Sequence, residues 1–189
     1  MIRFLPFLAW LPLLRNRATL QTDVLAGLTG AIVVLPQTVT STFDEAEALA
    51  ALHLAAFGTP YMTTENRLTW MRAPGYKPEL DLVVETSEGQ LAAFCLGGIS
   101  EQDNARTGRK DGYTDPVGVH PNFQRRGLAR ALLLSAFQRL KERGMETAKL
   151  STGSWNIAMQ TAAQAVGYQI TATTLYFEKA LDLKKATAQ

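Results

Sequence analysis

The stretch from His120 to Leu134, HPNFQRRGLARALLL, places two arginines and a glycine directly before an apolar helical segment. A helix start normally favours a hydroxyl or carboxylate cap, because its first amides lack partners and carry partial positive charge. Arg125, Arg126 and Gly127 offer neither group. They suit a bound anion instead, and a glycine lets that anion approach the backbone. The other interpretation is a turn glycine beside two solvated arginines, and the neighbouring segments decide between the two.

The segments on either side predict a strand, a tight loop, a long helix and a second strand. Tyr113–Val119 is the first strand, apolar residues at helical spacing define a helix over 124–143, and Thr147–Thr152 is the second strand. This order is the usual setting for a phosphate-binding helix start. The loop lacks the three spaced glycines of a dinucleotide fingerprint and the Gly-Lys-Ser/Thr of a Walker motif.

The rest of the chain from residue 41 predicts further helices and strands. Thr42 and Glu45 have capping-box spacing, which starts a helix that ends near Gly58. The other predicted elements are a helix around 64–72, strands over 80–86 and 91–98 joined by a turn, a polar loop over 99–112, a helix over 156–166 and a strand or strand pair over 168–181.

Composition narrows the class of protein. A chain of 189 residues suits one domain with a substantial core, and a net charge of +2 gives no support for a nucleic-acid partner. The single cysteine, Cys95, excludes an internal disulfide and a multi-cysteine metal site, and its apolar neighbours predict a buried side chain. The two histidines, His53 and His120, lie far apart in the sequence, so a metal site or a Ser-His-Asp site is poorly supported.

Residues 1–40 differ from the rest of the chain, since they contain no Glu or Lys. Between Asp23 and Asp44 about twenty residues carry no charge, just enough to cross a bilayer. Residues 1–37 resemble the start of sulfate-permease (SulP) transporters, at Trp10–Pro12, Asp23–Thr29 and Ile32–Gln37. We interpret this segment as a fusion remnant, an artefact of gene prediction or a weak membrane segment.

Residues 41–182 resemble the GNAT-type N-acetyltransferases. Gln124-x-x-Gly127-x-Ala129 matches the family's pyrophosphate loop, Gln/Arg-x-x-Gly-x-Gly/Ala, and Asp115–Pro121 resembles the strand that leads into it. The later matches are Asn156, Gly167-Tyr168 and the closing strand Tyr176–Lys179. The resemblance implies acetyl-CoA as co-substrate and no metal.

The resemblance also implies the architecture. We expect an α/β (α+β) fold in which helices flank a mixed, mostly antiparallel central sheet. The domains would be an apolar segment over 1–40, the acetyltransferase domain over 41–182 and a polar tail over 183–189. The transporter-like segment occupies the place of the first strand, so that strand is either missing or formed from residues 36–43.

The family's cofactor contacts carry over to the matching positions. The backbone amides of residues 125–129 would hold the pyrophosphate, and the backbone of Val117 and Val119 would bond the pantetheine arm like an added strand. Asn156 would position that arm. The full set of implied cofactor-binding residues is Val117, Gly118, Val119, Gln124, Arg125, Arg126, Gly127, Leu128, Ala129 and Asn156.

Asp115 is the candidate catalytic residue. Strand alternation predicts that Tyr113, Asp115, Val117 and Val119 share one face, where Asp115 is the only carboxylate and could take the amine's proton. Alternatively, Asp115 caps the loop before Pro116 or pairs with a cation. The tyrosine that often protonates the departing thiolate in this family is replaced by Ala163.

The predicted function is transfer of an acetyl group to a primary amine of a small molecule, by direct attack of the amine on the thioester, in the cytoplasm. Two alternatives stay open: a CoA-binding domain with little catalysis because of Ala163, and a membrane-attached fusion product. A homodimer is also left open. Candidates to line the amine pocket are Tyr61, Trp70, Tyr76 and Trp155.

Overall fold

A computed structural model describes residues 37–38 and 43–179 of the chain. The transporter-like residues 1–36 and the tail over 183–189 lie outside the described residues, so the interpretations placed on them stay predictions.

The described residues form one five-stranded sheet with its strands in chain order. Its first four strands are antiparallel neighbours, whereas the fifth runs parallel to the fourth. The mixed, mostly antiparallel sheet is therefore confirmed. The strands are β1 (Gln37–Thr38), β2 (Asp81–Glu85), β3 (Leu91–Gly98), β4 (Asp111–Val119) and β5 (Thr147–Lys149). The first strand lies within the stretch 36–43 that remained available for it.

Five α-helices accompany this sheet in the described part of the chain. They are α1 (Phe43–Phe57), α2 (Thr64–Met71), α3 (Glu101–Thr107), α4 (Leu128–Glu142) and α5 (Ile157–Ala165). Short 3-10 turns precede β2 at Pro78–Leu80 and α4 at Pro121–Phe123. No helix among residues 43–179 is long and apolar enough to cross a membrane.

Alternation along the strands builds a core on each face of the sheet. Leu82 and Val84 of β2 pack with α4 residues such as Leu132, whereas the intervening Val83 packs with Leu49 of α1. Cys95 is fully buried in the α4 cluster, as its apolar neighbours predicted. The sheet is thus enclosed between α1 on one face and α4 on the other.

One predicted loop contains a helix. Residues 99–112 include α3, which the Ser100 hydroxyl caps by accepting a hydrogen bond from the Asp103 amide at 3.2 Å, and which Gly108 ends in a left-handed conformation. None of the residues of α3 is buried. The helix therefore lacks an apolar stripe, and its capping residues were the only signal in the sequence.

The strand predicted over 168–181 is wrong for its described part, because residues 169–179 form neither strand nor helix. Tyr176 and Phe177 are 93% and 92% exposed. The resemblance to the family's closing strand had predicted a strand at 176–179, but a strand needs a neighbour with which to form hydrogen bonds. Strand β5 is also shorter than predicted, since it has three residues, Thr147–Lys149, where the sequence predicted a strand over 147–152.

Candidate active site

The loop before α4 has the geometry of an anion-binding helix start. Gly127 stands at the N-cap position with φ 78°, no side chain caps the helix, and its first turn contains no acidic residue. The first bond of the helix runs from the Ala131 amide to the Gly127 carbonyl at 3.0 Å. The amides of Leu128 to Arg130 therefore precede the first intrahelical bond and are available to a ligand.

The space beside this helix start is open. A Cβ on Gly127 would meet no described atom within 4 Å. Arg125, at φ 61°, also adopts a left-handed conformation and is exposed. Arg126 is held in the loop itself, since its guanidinium donates to the Asn122 carbonyl at 3.1 Å and lies 5.2 Å from the centre of the Phe123 ring. The arrangement fits the pyrophosphate of a nucleotide-type cofactor.

The strand β4 leads from this loop towards a cavity. Its outer edge pairs with β5 only over residues 111–113, so from Thr114 to Val119 no described strand occupies that edge. The Gln124 side chain donates to the Val119 carbonyl at 3.4 Å at the end of the strand. An extended ligand arm can therefore lie along Val117–Val119, where the family resemblance expects the pantetheine.

A register shift in β4 corrects the prediction that Tyr113, Asp115, Val117 and Val119 share one face. Opposite β3, Cys95 pairs with Val117 and Gly97 with Thr114, so β4 contains one residue more than its partner between these pairs. Such a bulge changes which face the following side chains occupy.

The two faces of β4 consequently have different functions in the fold. Val117 and Val119 pack into the core beside α4. Gly118 faces the other way, because a Cβ there would meet the Phe94 ring at 2.4 Å. Tyr113 and Asp115 line a cavity instead of that core. Only the backbone of Val117 and Val119 is left for a ligand.

Asp115 occupies a partly buried position in the wall of this cavity. Burial raises the pKa of its carboxyl group above the ordinary value, and a hydrogen bond from the Ser151 amide opposes that shift. A carboxylate with a raised pKa and no described cation within ion-pair distance is suited to accepting a proton. The alternative in which Asp115 forms an ion pair with a nearby cation has no support among the described residues.

The cavity measures about 660 Å³, which is within the range for small-molecule sites. Its walls come from the end of α2 and the loop after it, the end of β3, the start of α3 and β4. Of the proposed pocket aromatics, Trp70 and Tyr76 line it, whereas Tyr61 and Trp155 do not. Tyr113 also lines the cavity. It lies two residues before Asp115 on β4, and this spacing could have identified it from the sequence as a residue of the cavity wall.

A buried ionic cluster behind the cavity was not predicted. Arg67 forms an ion pair with Asp81, and the side chains are 4% and 0% exposed. The Tyr76 hydroxyl donates to Asp81 at 2.6 Å. Burial and the Asp81 charge raise the pKa of Tyr76, so the hydroxyl remains a donor. The cluster thereby holds the Tyr76 ring in the cavity wall.

The remaining predicted site residues lie at the start and core of α5. The Asn156 side chain caps α5 by accepting from the Met159 amide at 3.1 Å, and its function in positioning the pantetheine arm stays a prediction. Ala163 is buried in α5. Among the described residues, no group of three or more His, Cys, Asp or Glu side chains is placed to hold a metal ion.

Comparison with known proteins agrees with this geometry. A profile of the acetyltransferase (GNAT) family matches residues 46–168. A mycothiol acetyltransferase of Propionibacterium freudenreichii subsp. shermanii is 26% identical over 141 residues, which are 72% of this chain and 44% of that protein. The chain thus spans less than half of the length of this curated relative.

Solved structures share the fold at low sequence identity. An aminoglycoside acetyltransferase from an uncultured soil metagenomic sample, in complex with sisomicin, superposes with a TM-score of 0.59 and 15% identity, over 74% of this chain and 90% of that one. AAC(6')-Iy, in complex with a bisubstrate analogue of CoA and acetylneamine, superposes with a TM-score of 0.56 and 16% identity, over 73% and 93% of the two chains.

Proposed function

We propose that this chain, which belongs to the acetyltransferase (GNAT) family, transfers the acetyl group of acetyl-CoA to a primary amine of a small molecule. The observation that carries the proposal is the position of Asp115. It lies in the wall of a small-molecule cavity and on the open β4 edge that leads to the anion-binding loop.

Each part of the proposed site has a separate function. The uncapped start of α4 binds the pyrophosphate, and the β4 edge orients the pantetheine arm. Bound acetyl-CoA supplies the activated acetyl group as a thioester. The cavity holds the amine so that its nitrogen reaches the thioester carbonyl at the end of that arm.

Asp115 acts as the general base in this proposal. An ammonium group cannot attack until it loses a proton, and the carboxylate of Asp115 accepts that proton directly or through one water. The amine nitrogen then bonds to the acetyl carbon, the carbon–sulfur bond breaks as the CoA thiolate leaves, and the nitrogen releases its second proton to solvent to give the neutral amide. Because Ala163 stands where the family often has a tyrosine acid, solvent protonates the thiolate.

Turnover of the Asp115→Asn variant tests this assignment. We expect acetyl transfer to an amine to fall by about two orders of magnitude at neutral pH, the usual effect of losing a general base. Acetyl-CoA affinity should stay unchanged, and the defect should shrink at high pH, where the amine is already neutral. The measurement is steady-state release of free CoA thiol across a pH series.

Asp103→Asn is the matched control, since Asp103 is an exposed carboxylate on α3 outside the cavity. It should retain wild-type turnover. Wild-type turnover of Asp115→Asn, with chemistry rate-limiting, would remove the proposed base. Binding of acetyl-CoA without transfer to any amine would instead support the second candidate, a binding domain silenced by the alanine at position 163.

A further inference from the structure

We propose that the acceptor is a primary amine with a single positive charge and a flat apolar body, such as an arylalkylamine, and not a polycation. This inference rests on the proposed function, because it takes the cavity beside Asp115 as the amine site. The chemistry of the cavity wall carries it.

Aromatic side chains from three elements surround the cavity. Trp70 comes from α2, Tyr76 from the loop that follows it, and Tyr113 from β4. Aromatic rings favour offset or edge-to-face packing against another ring. They also attract one cation over their faces. An arylalkylamine contains both an aromatic ring and one ammonium group within one small molecule.

Two of these rings are held in place by the fold. The Tyr113 ring lies over Gly98, where a Cβ would come within 2.3 Å of the ring, so the absence of a side chain at Gly98 makes room for it. The Tyr76 ring is held by the bond from its hydroxyl to buried Asp81. Rings held in this way lose little conformational freedom when a flat ligand packs between them.

The charges of the cavity match one ammonium group. Among the described residues that line it, the charged side chains are Lys77, Glu101 and Asp115. Lys77 and Glu101 form an ion pair with each other at 2.9 Å, and Glu101 is 77% exposed, so this pair lies at the rim and is neutral overall. Asp115 is the remaining carboxylate. A polycation would bring further ammonium groups against aromatic walls, where unpaired charges are costly to desolvate.

Competing amines test the inference on the full chain. With saturating acetyl-CoA, we expect kcat/KM for 2-phenylethylamine to exceed the values for spermidine and sisomicin by at least about tenfold, which corresponds to roughly 1.4 kcal/mol. A higher value for either polycation would overturn the inference while leaving acetyl transfer to amines in place. Failure to acetylate any of the three amines would overturn both.

Variants of the cavity wall give a second readout. Trp70→Ala and Tyr113→Ala should each raise KM for 2-phenylethylamine about tenfold, the effect of losing one well-packed aromatic contact. Ethylamine lacks the ring, so its kcat/KM should change less than about twofold in either variant. Tyr61→Ala is the control, because Tyr61 is 65% exposed and lies outside the cavity. Equal losses for both amines, or an equal loss in the control, would contradict the inference.

Discussion

Gly127 and Gly144 stand at opposite ends of α4 in nearly the same backbone conformation. Their φ angles are 78° and 77°, and a side chain on either would meet no described atom within 4 Å. A side chain at positive φ costs about 1 kcal/mol at each position. The helix end beside Gly127 presents free amides, whereas the helix end beside Gly144 presents free carbonyls.

Gly127→Glu should therefore weaken acetyl-CoA binding by at least about tenfold, because it adds a negative charge where the pyrophosphate would lie. Gly144→Glu has a similar backbone cost and should bind acetyl-CoA like the wild type. Isothermal titration calorimetry on both variants measures the difference. Unchanged affinity in folded Gly127→Glu protein would remove the proposed phosphate site.

Asp115→Asn should make the protein more stable at neutral pH although it slows the reaction. Burial raises the folded-state pKa of Asp115, so its protonated form favours the fold at low pH and this contribution is lost as pH rises through the folded pKa. The neutral amide avoids that loss, so the stability gain should be present at pH 7 and vanish in acid. Thermal unfolding of both proteins across this pH range checks the sign, and lower stability at pH 7 would contradict it.

At the scale of elements, a buried ion pair connects α2 to the sheet. Arg67 of α2 and Asp81 of β2 are both almost fully buried, and the Arg67 Nε and Asp81 Oδ1 atoms have no hydrogen-bond partner among the described atoms. A buried pair of this kind gains little over an apolar pair, but removal of one member leaves an uncompensated charge.

Arg67→Met should consequently lower the free energy of unfolding by about 3–5 kcal/mol, whereas the double variant with Asp81→Leu should lose much less. Urea denaturation of the single and double variants measures this coupling. Lys77→Met is the control, since it breaks the exposed pair with Glu101 and should cost less than about 1 kcal/mol. Equal losses in the single and double variants would mean that the charge balance is not what stabilises this contact.

At the scale of the whole molecule, β1 joins the N-terminal part of the chain to the sheet. Gln37 pairs with Val83 and Thr38 with Leu82, which extends the sheet beyond β2. If the transporter-like segment is grafted onto the domain, removal of residues 1–35 should leave Tm and acetyl-CoA affinity unchanged.

Removal of residues 1–41 also deletes β1 and should lower the free energy of unfolding by about 1–2 kcal/mol. This is the net contribution expected of the few backbone hydrogen bonds that join β1 to β2. Differential scanning calorimetry of the two shortened chains and the full chain measures these effects. Unfolding of the chain that lacks residues 1–35 would show that the segment belongs to the domain.

Local chemistry was sufficient to predict the parts of the fold that short-range patterns define. The apolar stripe of α4, the strands β2 and β3, and Gly127 at the helix start were all predicted from residues close together in the chain, and the structure has them. Helical periodicity, strand alternation and glycine preference depend on a few neighbouring residues, so one sequence contains enough information to predict them.

The tertiary structure alone decided which face of β4 each side chain occupies and what surrounds Asp115. The bulge in β4 exists only in relation to the register with β3, and it places Tyr113 and Asp115 in the cavity while Val117 packs beside α4. Arg67, Asp81 and Tyr76 likewise meet only in the folded chain, since Arg67 and Asp81 are 14 positions apart in the sequence. Register and packing depend on contacts between distant segments, and no local pattern in a single chain specifies such contacts.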